Sequence, residues 1–161
     1  MGRMAMSTRF MFIGPIGAGK TTLFNSLFGR NEPARKTQVM EFEGRDGMDT
    51  PGEYFSHPRL YHALISASAE VDVLMVVHPA DVNECRLPPG LMSVYADKCI
   101  DAVVTKMDLP GANLPRSEQL LRDAGVGGRV FAVSHGDAAS VLALRRYLLD
   151  GEAEGACRRS S

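Results

Sequence analysis

The run Arg9-Phe10-Met11-Phe12-Ile13, followed by Gly14-Pro15-Ile16-Gly17-Ala18-Gly19-Lys20-Thr21-Thr22, decides the fold. RFMFI reads as a short buried strand, and the glycine-rich segment after it fits G-x-x-x-x-G-K-[ST] in full. From Thr21 to Phe28 the apolar residues Leu23, Phe24, Leu27 and Phe28 recur at helical spacing, with Gly29 as a stop. A strand, a glycine-rich turn and a helix together make an anion site. Backbone N–H groups of the turn and of the helix start surround phosphate oxygens without needing side-chain charge. Gly14, Pro15, Ile16, Gly17, Ala18, Gly19, Lys20, Thr21 and Thr22 are the phosphate-binding candidates. Lys20 is expected to lie at the surface and to reach the β- and γ-phosphates as the catalytic cation. The Thr21 hydroxyl is expected to ligate Mg²⁺.

Outward from this stretch, strand and helix patterns alternate. Gln38 to Glu43 (QVMEFE) alternates polar and apolar like an edge strand, with a turn at Gly44 to Gly47. Pro58 opens a helix with Leu60, Leu64 and Ala67 on one face. Val71 to Val77 (VDVLMVV) and Cys99 to Thr105 (CIDAVVT) are nearly continuous apolar runs, the mark of strands covered on both sides. Between them lie a loop through Pro88, Pro89 and Gly90 and a short helix or turn at Leu91 to Ala96. Leu114 to Ala124 reads as a helix stopped by Gly125, and Arg129 to Val133 as the last strand. Asp137 caps a final helix carrying Val141, Leu144 and Leu148. This alternation predicts a three-layer α/β domain around a mostly parallel sheet with one antiparallel edge strand. Ligands of such sheets bind beyond the carboxyl ends of the strands.

The other motifs fall at such ends or in the loop after the first helix. Asp49-Thr50-Pro51-Gly52 stands where a carboxylate meets Mg²⁺ and a glycine N–H meets the γ-phosphate. Asp49 therefore joins Thr21 as a metal residue, and Gly52 joins the phosphate set. Thr37, in the polar loop after the first helix, supplies the hydroxyl a γ-phosphate sensor needs and is the third metal candidate. Arg35 beside it is a candidate catalytic cation. Thr105-Lys106-Met107-Asp108 ends an apolar strand, and a carboxylate there accepts both N–H donors on the Watson–Crick edge of guanine, a pair adenine lacks. The Lys106 stem is suited to cover the base. Ser134-His135 ends the next strand and offers a backbone contact. Thr105, Lys106, Asp108, Ser134 and His135 are thus the base-binding set. His57 and His62 have no third ligand at metal spacing, and His78 reads as hydrogen-bonded structure.

Composition sets the bounds. The 161 residues correspond to one domain. They divide into a short extension over 1–8, the nucleotide-binding domain over 9–150 and a disordered tail over 151–161. With 18 basic against 19 acidic residues the net charge is −1, which gives no global field for nucleic acid or an anionic membrane. MGRMAMST is too short and polar for a signal peptide, and Met6 breaks the myristoylation pattern. Cys85, Cys99 and Cys157 lack metal or redox spacing. They are expected to be two buried thiols and one tail thiol in a reducing, cytoplasmic compartment.

With those residues in hand, the chain resembles the EutP/PduV family of small phosphate-loop proteins. The likeness rests on GPIGAGKTTLFNSL, on ARKTQ with EFEG, on DTPGEYFSHPRLYHALI and on RLPPGL near Cys85. It covers residues 9–150 and lies closer to the ethanolamine branch. The resemblance implies a Ras-like GTPase fold binding GTP or ATP with Mg²⁺, in ethanolamine or propanediol utilisation linked to bacterial microcompartments. It also implies acetate kinase activity, with acetate and acetyl phosphate as partners beside microcompartment shell or enzyme proteins. The alternative is a nucleotide-controlled binding module with little catalysis of its own. Glu53, directly after DTPG, stands where many Ras-like GTPases carry a Gln that positions water. Ionised Glu only accepts hydrogen bonds, so Glu53 is a catalytic candidate for slow hydrolysis.

Overall fold

A computed structural model describes residues 9–27, 41–43, 47–49, 57–85, 87, 90–91, 99–134 and 136–149. The elements in chain order are β1 (Phe10–Ile13), α1 (Lys20–Leu27), β2 (Glu41–Glu43) and β3 (Gly47–Asp49). A 3-10 turn (Pro58–Leu60) leads into α2 (Tyr61–Ser68), then β4 (Val73–Pro79), β5 (Cys99–Thr105), α3 (Leu114–Ala124), β6 (Val130–Ala132) and α4 (Ala138–Leu149). The six strands form one sheet in the order β2-β3-β1-β4-β5-β6. Only β2 pairs antiparallel; β3, β1, β4, β5 and β6 run parallel. The expected α/β architecture, mostly parallel sheet and single antiparallel edge strand are what the structure shows.

Strand periodicity sorts the core onto two faces. Phe10, Phe12, Val73, Met75, Val77 and Val103 pack with α1 residues Leu23, Phe24 and Leu27 and α4 residues Leu144, Tyr147 and Leu148. Met11, Ile13, Leu74, Val76, Ala102 and Val104 face the other way, against Leu64 of α2 and Leu121 of α3. Each of the buried Val, Leu, Ile, Phe and Met side chains among them contributes about 1.5–3 kcal/mol. Helix ends follow their sequence signals. The Asn113 side chain accepts from the Arg116 N–H at 3.0 Å, and Asp137 Oδ1 accepts from Ala139 N–H at 3.2 Å and Ser140 N–H at 3.4 Å.

Four expectations need correction. Gly47 does not close a turn but begins β3, which the sequence reading missed. Gly47-Met48-Asp49 has one apolar residue, and the strand is held by pairing on both sides, with β1 and β2. The strand at VDVLMVV starts at Val73 and runs on through His78 and Pro79. The Asp72 and Val73 N–H groups turn onto the Arg9 carbonyl at 2.8 and 3.0 Å, and Val71 is buried outside the strand. The helix opened by Pro58 is a 3-10 turn before it becomes α-helical. Cys99 is disulfide-bonded, its partner lying outside the described residues, whereas Cys85 is a free thiol. Pairing depends on which cysteines the fold brings within bridging distance, which spacing along the chain does not show. Phe28, Gln38 to Met40 and residues 92–98 lie outside the described residues, as do 1–8 and 151–161. Among the described residues no helix is long and apolar enough to cross a membrane.

One buried polar cluster lies inside β5. Asp101 is 2% exposed; it accepts from the Tyr147 hydroxyl at 2.6 Å and from the Arg129 N–H at 2.8 Å. The Arg129 guanidinium lies over the Tyr147 ring, 5.3 Å from its centroid. Burial pushes the Asp101 carboxyl above the ordinary carboxylate range, partly offset by these hydrogen bonds and by the charges of Arg129 and Arg122. Burial, followed by the bond to Asp101, raises the Tyr147 phenol. Tyr147→Phe keeps the ring but leaves one buried carboxylate oxygen without its donor, a loss of about 1.5–3 kcal/mol. Urea unfolding should show a lower midpoint with unchanged slope. The pH dependence has a definite sign. The folded-state pKa exceeds the unfolded one, so the folded chain holds the extra proton between them. Wild type should therefore lose stability relative to Asp101→Asn as pH rises from about 4 through the raised native value.

Candidate functional site

The parallel register gathers the site. Ile13 stands beside Val76 and Phe12 beside Asp49, while Pro79 pairs with Thr105 and Val104 with Ala132. The carboxyl ends of β1, β3, β4, β5 and β6 thus share one edge, at the point where the strand order reverses around β1. The loop 14–19, Asp49, Lys106 to Asp108 and Ser134 all leave from that edge.

The loop's shape follows from its glycines. A Cβ at Gly14 would collide with the Val77 carbonyl oxygen, so only glycine lets the chain leave β1 this close to β4. The Ala18 N–H donates to the Pro15 carbonyl at 3.2 Å, closing a turn with Ile16 and Gly17 at its corner. Gly17 has φ +79°, a left-handed conformation at the third turn position that favours glycine. Thr21 and Thr22 are half-buried on the first turn of α1. Lys20 corrects an expectation: it is not a surface side chain but only 6% exposed. Its Nζ donates to the carbonyls of Gly14 at 2.8 Å and Pro15 at 2.9 Å. The loop curls back over its own lysine, which sequence spacing does not reveal.

At the end of β5, the Thr105 hydroxyl donates to the Ala18 carbonyl at 2.6 Å and is buried. Thr105, read in the sequence as base-binding, therefore acts on the phosphate loop. Lys106 adopts φ +59°, alone among the described non-glycine residues in having a positive value. This conformation costs about 1–2 kcal/mol, and such outliers cluster at functional sites. It starts a turn in which the Leu109 N–H meets the Lys106 carbonyl at 3.1 Å, with the exposed Asp108 at the corner. Ser134 is half-buried, and its carbonyl accepts from the Asp137 N–H at 3.1 Å.

Sequence reasoning missed the support behind this edge. The Ala80 N–H donates to the Thr105 carbonyl at 2.8 Å, and the Ala80 carbonyl accepts from the Asn113 N–H at 3.1 Å and the Arg116 guanidinium at 3.4 Å. No motif announces this, because the acceptor is a backbone group. His78 is buried, as expected for structure, with Nε2 3.2 Å from the Val82 carbonyl. Burial lowers its pKa. His57 and His62 are exposed. The candidates Arg35, Thr37, Gly52, Glu53 and His135 lie outside the described residues. For Asp49 only the backbone position at the end of β3 is described.

Magnesium takes oxygen donors, keeps several waters and uses one or two carboxylates plus substrate phosphates. A hydroxyl on the first turn of α1 and an aspartate closing the strand beside β1 fit that habit. Among the described residues no three His, Cys, Asp or Glu side chains gather as a metal cluster, so a site built wholly from such ligands is not what they offer.

The fold and its site edge define a Ras-like phosphate-loop domain. Solved structures similar to it include translation elongation factor SelB from Methanococcus maripaludis in complex with the GTP analogue GPPNHP (TM-score 0.58, 19% identity, 89% of this chain and 33% of that one). A bacterial selenocysteine-specific elongation factor EF-Sec gives a TM-score of 0.61 at 18% identity over 87% of this chain and 28% of that one. Methanosarcina barkeri Roco2 RocCORdC bound to GDP gives 0.57 at 17% over 88% and 47%. At these identities the likeness concerns the fold. The family model PduV-EutP, described as ethanolamine utilisation – propanediol utilisation, matches residues 7–150, and the chain belongs to that family. It is 49% identical over 140 residues to "Probable acetate kinase EutP" of Salmonella typhimurium, covering 87% of this chain and 88% of that protein. The Escherichia coli K12 protein of the same name is 46% identical over the same shares. "Propanediol utilization protein PduV" of Citrobacter freundii is 35% identical over 63% of this chain and 66% of its own length.

The Thr105–Ala18 bond makes a direct prediction. Thr105→Val removes a buried donor and should cost about 1–3 kcal/mol. Amide hydrogen exchange at Ala18 to Lys20 should quicken roughly tenfold or more, while Thr105→Ser keeps the wild-type rate. Equal exchange in all three proteins would show that the bond does not hold the loop.

Proposed function

We propose that this protein binds a guanine nucleoside triphosphate with Mg²⁺ and transfers its terminal phosphoryl group to a small acceptor, acetate, in ethanolamine or propanediol utilisation. The observation that carries the reading is the shared strand-end edge, where a phosphate loop and a candidate base-reading turn are joined through one buried hydrogen bond. Acetate as acceptor is supported by the name that the relatives at 46–49% identity carry, and the pathway by the family. A cytoplasmic place, in association with a microcompartment, belongs to the same proposal.

The residues take these roles. Amides of the loop Gly14 to Gly19 and of Thr21 and Thr22 hold phosphate oxygens, with Gly52 adding its N–H. Lys20 carries the charge that meets the β- and γ-phosphates. Thr21, Asp49 and Thr37 hold Mg²⁺, which when bound offsets charge on the β- and γ-oxygens. Asp108 accepts from the guanine edge, the Lys106 stem covers the base, and Ser134-His135 contributes a backbone contact to it. Arg35 is a candidate catalytic cation in addition to Lys20, and Glu53, which when ionised only accepts hydrogen bonds, is a poor aid to water attack. Acetate and the triphosphate give acetyl phosphate and the diphosphate. One carboxylate oxygen bonds to the γ-phosphorus as the bond to the β–γ bridging oxygen breaks, and no net proton is transferred.

The test uses purified full-length chain with GTP or ATP and Mg²⁺, with and without acetate, following acetyl phosphate and inorganic phosphate separately. GTP should bind more tightly than ATP, and Asp108→Asn should weaken GTP binding roughly ten- to hundredfold by calorimetry. Lys20→Ala should abolish turnover. Equal affinities for the two nucleotides would overturn the guanine assignment. Phosphate release without acetyl phosphate would make water the acceptor. Binding without turnover would favour a nucleotide-controlled binding module.

A further inference from the structure

We infer that Ile16 selects the phosphoryl acceptor: its side chain shields the terminal-phosphate end of the loop from water and offers an apolar contact to the alkyl group of a short-chain carboxylate. This rests on the phosphoryl-transfer reading and adds the residue that discriminates among acceptors.

The loop has two chemically distinct ends. At one, the Ala18 carbonyl is tied to Thr105, from which the turn carrying Lys106 and Asp108 departs. At the other, the carbonyls of Gly14 and Pro15 hold the Lys20 ammonium, the group that meets the β- and γ-phosphates. Ile16 follows Pro15 directly and so belongs to the terminal-phosphate end. Its exposure is 53%, above that of the other exposed large apolar residues described, Val82, Leu109 and Leu142.

A single exposed apolar residue is ordinary on a protein surface; here the place carries the meaning. Every other residue from Gly14 to Gly19 is Gly, Ala or Pro. The Pro15–Ala18 turn needs glycine at position 17 and makes no demand for a branched apolar side chain at position 16. An apolar group at the mouth of a phosphate site finds no partner in water or in phosphate. A short-chain carboxylate has two ends, an oxygen nucleophile for the γ-phosphorus and an alkyl group for Ile16. Water has no second end, so the contact favours the carboxylate over hydrolysis. The discrimination expected for one methyl group in such a contact is roughly tenfold or more.

The experiment compares wild type, Ile16→Val and Ile16→Gly in the full chain, each with formate, acetate or propionate and with no carboxylate. Acyl phosphate, inorganic phosphate and nucleotide affinity are measured. In wild type and Ile16→Val the KM for acetate should lie roughly tenfold below that for formate. In Ile16→Gly that advantage should vanish through a higher acetate KM. Phosphate release without carboxylate should increase, and the nucleotide affinity measured in each protein separates a lost acetate contact from a lost triphosphate contact. An unchanged acetate-to-formate ratio in Ile16→Gly, with acyl phosphate still formed, would overturn this inference alone. No acyl phosphate from wild type with any of the three carboxylates would overturn it together with the acceptor reading.

Discussion

The hydrogen bond from Thr105 to the Ala18 carbonyl is the constraint on which the site depends. A glycine-rich loop has little of its own to fix its shape, since glycine surrenders more conformational entropy on ordering than any other residue. Here the loop is held at three places. Gly14 lies against the Val77 carbonyl, the Ala18 N–H is tied to Pro15 within the turn, and the Ala18 carbonyl is tied across the sheet edge. The last links loop to β5, and β5 also launches the turn that carries Asp108. A shift in one half of the edge is therefore felt in the other.

Lys20 shows the same economy. Its ammonium is removed from most solvent, which is costly for a charge without partners, and the Gly14 and Pro15 carbonyls take part of that role. The same two bonds fix the cation at one end of the loop.

Much of this was legible in the sequence because the signals were local. The phosphate loop is a contiguous pattern, α3 has its glycine stop at Gly125, and β4 and β5 are apolar runs long enough to admit few other readings. What escaped depends on contacts between distant segments. Gly47-Met48-Asp49 becomes a strand only because two neighbours flank it. Lys20 is buried because the loop turns back over it, and Cys99 is paired because the fold supplies a partner. Thr105 looked like part of a base-reading tetrapeptide, yet its hydroxyl reaches a carbonyl 87 positions away in the chain. Motif spacing finds residue types that suit a chemistry; which member of the motif touches ligand and which supports it is decided by tertiary geometry.

That distinction is sharpest along β5 itself. In Cys99–Thr105 (CIDAVVT) the side chains of Asp101, Val103 and Thr105 share one face by strand alternation, and this is the face covered by α1 and α4, where Val103 packs. The apolar middle is bracketed by two polar groups about 13 Å apart, four residues at strand rise. Asp101 meets Tyr147 of α4 at one end, and Thr105 meets the loop that leads into α1 at the other. Apolar contact alone is non-directional and would let either helix slide on the sheet. A buried carboxylate that must keep two donors, and a buried hydroxyl that must keep one acceptor, each fix a position. The strand thus spends polarity at both ends to set the helix layer over its own site, and the carboxylate end bears the greater burial penalty because its group carries charge.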